Sequence, residues 1–147
     1  MTQLTVDANA HAHRKLRNVA KFKPLGLRHV PPVAVAYSFD HLPLSDGESI
    51  LGVYENAADS LEGAIVFTDQ RWHVYWNGEC ESYAYSEINR VSYGKFTADK
   101  LDTLVIVELN DGSTFQFHVT GFAAHEHGAK TFDSYAIGAF LDAASGA

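Results

Sequence analysis

The sequence predicts a mainly β domain that ends in a single α-helix. From Ser49 to Thr120, short apolar runs alternate with turn signals, which is typical of a meander of antiparallel strands. Apolar side chains then recur at helical spacing between Phe132 and Phe140. With 147 residues, 46% of them hydrophobic, the chain is long enough to bury the core of one domain.

A basic N-terminal extension (residues 1–46) is predicted to precede the strand-rich domain (residues 47–147). Pro24 ends a short helical pattern in the extension, and Val33–Phe39 suits a strand or an extended cover over the sheet. Six basic residues and one acid give +5 up to residue 30, whereas five basic residues and 17 acids give −12 beyond it. The short helical pattern rests on Leu16, Val19 and Ala20.

Seven strands are expected, and the length of each turn decides which side chains share a face. A two-residue loop at Asp69-Gln70 opposes Phe67 to Trp72 and Ile65 to Val74 on the core side. The predicted strands are Ser49–Glu55, Gly63–Thr68, Arg71–Trp76, Cys80–Tyr85, Asn89–Phe96, Thr103–Leu109 and Ser113–Thr120.

The last hairpin is predicted to close with a three-residue loop at Asn110–Gly112. This loop opposes Val107 to Phe115 and Val105 to Phe117, and its glycine occupies the left-handed position that such a loop requires. The helix that follows is predicted over Ala129–Ala143. Its apolar stripe consists of Phe132, Tyr135, Ala136, Ala139 and Phe140.

The hairpin between the third and fourth strands has two candidate registers. Asn77-Gly78 is a strong signal for a two-residue turn, but that register places Glu79 and Glu81 beside core residues. A three-residue loop ending at Glu79 avoids burying the two carboxylates, which would be costly. The three-residue loop is therefore predicted, with Cys80 facing inward and His73 facing outward.

Four motifs mark the starts and turns of the predicted strands: Gly47-Glu48-Ser49-Ile50-Leu51, Gly63-Ala64-Ile65-Val66-Phe67-Thr68-Asp69-Gln70-Arg71, Tyr85-Ser86-Glu87-Ile88-Asn89-Arg90-Val91 and Leu109-Asn110-Asp111-Gly112. Through these motifs, residues 47–143 resemble the bacterial PH-like domain families, which are related in fold to the eukaryotic PH and GRAM domains. The resemblance implies a barrel of seven antiparallel strands capped by the C-terminal helix. It leaves the basic extension unaccounted for.

Phosphoinositide binding, which some PH domains show, is not expected for this chain. In the phosphoinositide-binding PH domains, the site depends on basic residues around the loop between the first two strands. Here that loop, Asn56–Glu62, contains Asp59 and Glu62 and no basic residue. Phosphate groups would be repelled there, and a shared fold does not by itself imply a shared ligand.

Neither a metal site nor a catalytic centre is predicted. The paired histidines, His11 with His13 and His125 with His127, lack the spacing of a helical zinc site. Cys80 is the only cysteine, and the predicted register turns it away from His73, so no nucleophile–base pair is expected. The sequence also contains no nucleophile-elbow, phosphate-loop or dinucleotide-binding motif. No cofactor is expected.

The compartment is predicted to be the cytosol. No apolar run approaches the roughly 20 residues of a membrane helix, and the polar start lacks the apolar stretch of a signal peptide. A single cysteine excludes an internal disulfide. The acidic main domain would repel nucleic acid and anionic membranes, so neither is an expected partner.

The expected function is that of a noncatalytic binding or assembly module that contacts proteins, including further copies of itself. Tyrosines are well suited to such contacts, and a contiguous apolar patch needs a cover or a partner. The cover could be Val33–Phe39 or a second subunit, and the basic segment could dock on its own domain. The alternative function is a small-molecule or lipid binding domain with a pocket in the bent sheet. The predicted contact surface comprises Tyr75, Tyr83, Tyr85, Leu104, Ile106, Arg14, Lys15 and Arg17.

Overall fold

The computed structural model contains two antiparallel sheets, a short third ladder and one helix near each end. It describes residues 7–17, 19, 21–40, 42–57, 59–76, 78–93, 104–119, 122–124 and 130–146. The elements are α1 (Ala8–Lys15), β1 (Phe22–Pro24), β2 (Ile50–Tyr54), β3 (Ile65–Thr68), β4 (Arg71–Trp76), β5 (Glu79–Ala84), β6 (Ile88–Tyr93), β7 (Leu104–Leu109), β8 (Thr114–His118), β9 (Phe122–Ala124), β10 (Lys130–Phe132) and α2 (Asp133–Ala144).

The mainly β class with a C-terminal helix is confirmed. The larger sheet has the order β1-β2-β3-β4-β5, the smaller sheet has the order β6-β7-β8, and β9 pairs with β10. A 3-10 turn at Tyr85–Glu87 connects the two larger sheets. The described strands form no closed barrel, so the predicted seven-stranded PH-like barrel is not confirmed.

Two of the three predicted hairpin registers are confirmed. Phe67 opposes Trp72 and Ile65 opposes Val74 between β3 and β4. Between β7 and β8, Val107 opposes Phe115, Val105 opposes Phe117, and the loop glycine has a φ of 88°. The apolar pattern favours the observed register in both hairpins, and in the second the loop glycine favours it as well.

The predicted register between β4 and β5 is wrong. Glu79 opposes Trp76 and Glu81 opposes Val74, as the two-residue turn requires, and Gly78 has a φ of 78°. The burial cost that favoured the other register does not arise, because β5 is the edge of the sheet and both carboxylates remain exposed. An edge strand lets an inward-facing carboxylate reach water.

The corrected register also places His73 and Cys80 on the same face of the sheet, where opposite faces were predicted. His73 opposes Ser82, and Tyr75 opposes Cys80. Because side chains alternate along a strand, these four residues share one side. His73 is fully buried there, whereas Cys80 is half-buried.

The five-stranded sheet is covered on both faces. The main core lies on one face, where Phe67 stands edge-to-face with Phe140 of α2 and Trp72 packs against aromatic rings of β8. Val33–Phe39 forms no strand and instead covers the opposite face, the second of the two arrangements that its sequence suits. The covered cluster comprises Leu42, Val53, Ala64 and Val66.

Helix α1 begins earlier than its sequence pattern predicted. The Asp7 side chain caps it by accepting a hydrogen bond from the Ala10 amide at 3.1 Å, and it ends at Lys15. Val19 therefore lies beyond the helix, and position 20 lies outside the described residues. The buried stripe is spaced four residues apart and packs against α2: Ala8, Ala12 and Leu16.

The extension continues from α1 into β1, which adds to the edge of β2. Two glycines permit this close approach: a Cβ on Gly52 would lie 2.2 Å from the Phe22 ring, and one on Gly26 would lie 2.3 Å from the Ile50 carbonyl oxygen. The Leu51 carbonyl accepts hydrogen bonds from two extension amides, each at 2.9 Å. The basic extension is thus docked on its own domain.

Helix α2 starts at Asp133, so the predicted start at Ala129 is wrong. The backbone of Lys130–Phe132 is extended and pairs with β9, which places Phe132 opposite Phe122. A β-branched residue and an aromatic residue favour this ladder over a first helical turn. Within α2, Phe140 is fully buried as predicted, but its buried neighbours are Ile137, Leu141 and Ala144, and the predicted Ala136 and Ala139 are only half-buried.

Candidate functional site

The three tyrosines of the predicted contact surface do not share one exposed face. The Tyr85 hydroxyl donates to the Thr68 carbonyl at 2.7 Å, and its ring lies 5.5 Å from that of Phe140 inside the core. Tyr83 packs against Trp72 with ring centroids 5.1 Å apart. Tyr75 packs on the opposite side of the sheet, against the cluster covered by the extension. Only partial exposure remains for Tyr75 and Tyr83.

The remaining predicted contact residues fall in two places. Ile106 is half-buried in β7, and Leu104 begins that strand, although its side chain lies outside the described part of the chain. Arg14, Lys15 and Arg17 are exposed at the C-terminal end of α1. The structure therefore separates the cationic residues from the aromatic ones.

A buried polar network surrounds Glu48 on the face of the five-stranded sheet that Val33–Phe39 covers. Arg71 donates to both Glu48 oxygens, with its closest nitrogen at 2.6 Å, and the Thr68 hydroxyl donates at 2.5 Å. His73 Nε2 lies 3.0 Å from Glu48 Oε2, and His73 Nδ1 lies 2.6 Å from the Ser82 hydroxyl. We call these five residues the Glu48 network.

The protonation states within the Glu48 network follow from its contacts. Burial alone would raise the pKa of the Glu48 carboxyl, but hydrogen bonds from Arg71, the Ser45 amide, Thr68 and His73 lower it to about 2. Burial lowers the pKa of His73 despite the neighbouring carboxylate. A neutral His73 then donates a hydrogen bond from Nε2 to Glu48 and accepts one from the Ser82 hydroxyl at Nδ1.

The order serine–histidine–glutamate resembles a catalytic triad, but the histidine of the network is buried and both of its ring nitrogens are already hydrogen-bonded. His73 is fully buried with both ring nitrogens bonded, and the Glu48 oxygens accept several hydrogen bonds. Burial also raises the pKa of the neighbouring Cys80 thiol, which disfavours the thiolate form that a nucleophile needs. These contacts fasten the 43–48 segment to the sheet.

The loop between β2 and β3 receives basic residues that a reading of the loop alone overlooks. Lys23 of β1 reaches Glu55 at 2.9 Å and Asp59 at 3.1 Å, and Lys21 donates to the Asn56 carbonyl. The Tyr37 hydroxyl donates to the other Glu55 oxygen at 2.5 Å. The Lys23 ammonium group is therefore matched by two carboxylates.

A cationic cleft lies between α1 and the turn that follows β1. It has a volume of about 340 Å³ and is lined by Asn9, Ala10, His13, Arg14, Arg28 and His29. We call it the α1–turn cleft. Sequence reasoning identified Arg14 but missed the other lining residues. The excess of arginine and histidine before residue 30 was the available signal.

The two walls of the α1–turn cleft are joined by one side chain. Asn9 donates to the Gly26 carbonyl and accepts from the Arg28 amide, both at 3.1 Å. Arg28 also contacts Asp7 at 2.6 Å, and this ion pair lowers the pKa of the Asp7 carboxyl. These contacts fix the turn relative to the helix.

Histidines of α1 accept hydrogen bonds from two arginines at or just beyond the C-terminal end of that helix. Arg14 donates to His11 Nδ1 at 2.7 Å, and Arg17 donates to His13 Nε2 at 3.3 Å. A guanidinium group can only donate, so each accepting nitrogen must be unprotonated. Partial burial, and then the Arg14 charge, lower the pKa of His11.

The described residues contain neither a metal-binding cluster nor a membrane-spanning helix. No group of three histidine, cysteine, aspartate or glutamate side chains is arranged there to hold a metal ion. His11 and His13 lie on α1 two positions apart, and the second histidine pair lies outside the described residues. No described helix is long and apolar enough to cross a bilayer.

Comparison with known proteins gives no family assignment. No protein-family model, curated protein or solved structure matches this chain. The candidate function therefore rests on the geometry and charge of the chain itself.

Proposed function

We propose that this chain is a noncatalytic assembly module on a PH-like scaffold that contacts proteins, including further copies of itself. The observation that carries the proposal is the fixed separation of charge. A basic helix is docked on a domain of opposite net charge, and Arg14, Lys15 and Arg17 remain exposed on it. Complementary charge steers association and fixes its register.

The scaffold part of the proposal is supported by the order of elements. The strands β2 to β5 are followed by β6 to β8, and α2 comes last, as in the order of seven antiparallel strands and a terminal helix that the sequence resemblance implies. The chain adds β1 before these strands and the β9–β10 ladder after them. The noncatalytic part is supported by the saturated hydrogen bonds of the Glu48 network. In the described interior, large side chains occupy the space between sheet and helix, so no observation favours a lipid pocket in the sheet.

The edge of the larger sheet supplies the complementary surface on a second copy. Glu79 and Glu81 are exposed on β5, two positions apart and therefore on the same face of the strand. Tyr83 continues that row and donates to Glu81 at 3.1 Å. In the proposed contact, Lys15 and Arg17 of one copy meet this acidic row of another.

Light scattering coupled to size exclusion tests the proposal at low and high salt. We expect self-association at 50 mM NaCl that weakens at 500 mM, and loss of association in Lys15→Glu/Arg17→Glu. Mixing that variant with Glu79→Lys/Glu81→Lys should restore a mixed assembly. Arg90→Glu, an exposed arginine on β6, is the matched control and should behave as the unaltered chain.

Two outcomes would contradict the proposal. An unaltered chain that stays monomeric at 50 mM NaCl and high protein concentration would exclude self-association. Equal loss of association in Arg90→Glu would show that net charge matters and that the α1 surface does not. Failure of the two reversed variants to assemble together would remove the acidic edge of β5 as the contact.

A further inference from the structure

We propose that the α1–turn cleft is a binding site for a small organic anion that presents a carboxylate or phosphate group. Arg14 approaches from α1 and Arg28 from the turn, with His13 and His29 completing the lining. Guanidinium groups match both oxyanions with paired donors. The site goes beyond the assembly function, with which it shares Arg14.

The volume of the cleft suits a small molecule. At about 340 Å³ it lies at the lower end of the range typical of ligand sites, and it exceeds the space that a single water occupies. An adjoining depression carries two carboxylates, Asp7 and Asp69, which would repel an anion. The charge distribution therefore directs an oxyanion to the side of the cleft where Arg14 lies.

The walls of the cleft are joined by hydrogen bonds within the chain. Asn9 forms hydrogen bonds to both Gly26 and Arg28 of the turn. Backbone amides of the turn also donate to the Leu51 carbonyl of β2. Among the described residues, Arg14 is hydrogen-bonded to His11 alone, and a guanidinium group has five N–H donors. A site whose walls are fixed in advance binds with a smaller entropic cost.

His29 lines the cleft in an uncommon backbone conformation. Its φ of 62° lies in the left-handed region, where histidine is more frequent than most residues other than glycine but is still uncommon. Backbone strain of this kind concentrates at functional sites. A glycine would satisfy the backbone at this position without providing a side chain to line the cleft.

Calorimetric titration of the full-length chain with succinate and with inorganic phosphate tests the site, with NaCl at matched ionic strength as the reference. We expect saturable binding at one site per chain for at least one of the two anions. The stronger of the two identifies whether the group is a carboxylate or a phosphate. Arg14→Gln should weaken binding about tenfold, whereas Arg90→Gln should not change it.

The His29→Gly variant separates a binding role from a structural one. We expect weaker anion binding with an unchanged or higher melting temperature, because glycine relieves the left-handed backbone. Unchanged binding in both Arg14→Gln and His29→Gly would overturn the proposal, as would heats that chloride reproduces. Assembly should persist in His29→Gly, and anion binding should persist in Glu79→Lys/Glu81→Lys, so the two functions can fail separately.

Discussion

The Glu48 network and the α1–turn cleft use the same side chains in opposite ways. Each contains arginine and histidine and pairs an arginine with a carboxylate, but the Glu48 carboxyl group is inaccessible to solvent, whereas Arg28 of the cleft and its partner Asp7 are each about half exposed. In the network, the guanidinium of Arg71 is committed to a carboxylate. In the cleft, Arg28 is paired with Asp7, whereas among the described residues Arg14 is hydrogen-bonded to His11 alone. The two regions therefore differ in how many of their arginine donors are committed to a carboxylate.

Removing the acid at the centre of the network should have the largest effect. Glu48→Ala leaves Arg71 and the buried His73 without their shared acceptor, and we expect a loss of about 3 kcal/mol in the free energy of unfolding. Glu79→Ala removes an exposed carboxylate and should change the free energy by less than about 0.5 kcal/mol. Chemical denaturation measures both. Equal effects would show that the network does not stabilise the fold.

Gly52→Ala should damage the cleft without touching the network. The new methyl group would overlap the Phe22 ring, and we expect a cost of about 2 kcal/mol, typical of overpacking. Displacement of β1 should also increase proteolysis within residues 1–46 and abolish anion binding. Ser49→Ala, which alters an exposed side chain next to β2, is the control. Intact protease resistance in Gly52→Ala would contradict the close approach of β1 and β2.

The two regions also differ in how acid should affect them. Because the folded pKa of His73 lies below its ordinary value of 6.5, the unfolded chain takes up that proton first, and stability should fall as the pH drops below about 6.5. Because the pKa of Glu48 is about 2 in the folded chain and 4.5 otherwise, its contribution is present above pH 4.5 and lost towards pH 2. Denaturation midpoints between pH 8 and 3 measure both steps.

A His73→Gln variant should lose the first step of this pH dependence and keep the second. His29→Gly serves as the control, because its histidine lies in the cleft and outside the network. If the first step persists in His73→Gln, another group must carry it.

Arg14→Ala should show the smallest effect on stability, within about 0.5 kcal/mol, because its side chain is exposed. The same variant should lose most of its anion binding. Glu48→Ala should show the reverse, with reduced stability but unchanged binding in whatever fraction remains folded. A large loss of stability in Arg14→Ala would erase the distinction between the two regions.

The sequence predicts the parts of the fold in which two local signals agree. Val107 and Phe115 oppose one another because the loop glycine and the alternating pattern favour one register. Where the signals conflict, as at Glu79 and Glu81, the outcome depends on whether the strand lies at an edge, and local spacing carries no information about that. Local spacing also does not show what packs over a side chain, so Tyr85 was predicted to lie on the contact surface although it is buried in the core.

The α1–turn cleft could not be predicted from local sequence patterns for a related reason. Arg14 was identified from its charge, but its partners come from a turn about 14 residues further on, whose position depends on the docking of β1 against β2. Contact between Glu48 and His73, 25 residues apart, is hidden in the same way. Composition indicated a basic segment, whereas only the tertiary structure brings its members together.

The packing of α1 against α2 brings together the first and last elements of the chain. During synthesis the N-terminal segment leaves the ribosome first, but its apolar stripe at Ala8, Ala12 and Leu16 has no surface to pack on until residues 133–144 have followed. We therefore expect α1 to dock late in folding. The cationic surface would then acquire its final geometry only once α2 has been synthesised, so that products truncated before α2 would carry the same charges without this arrangement.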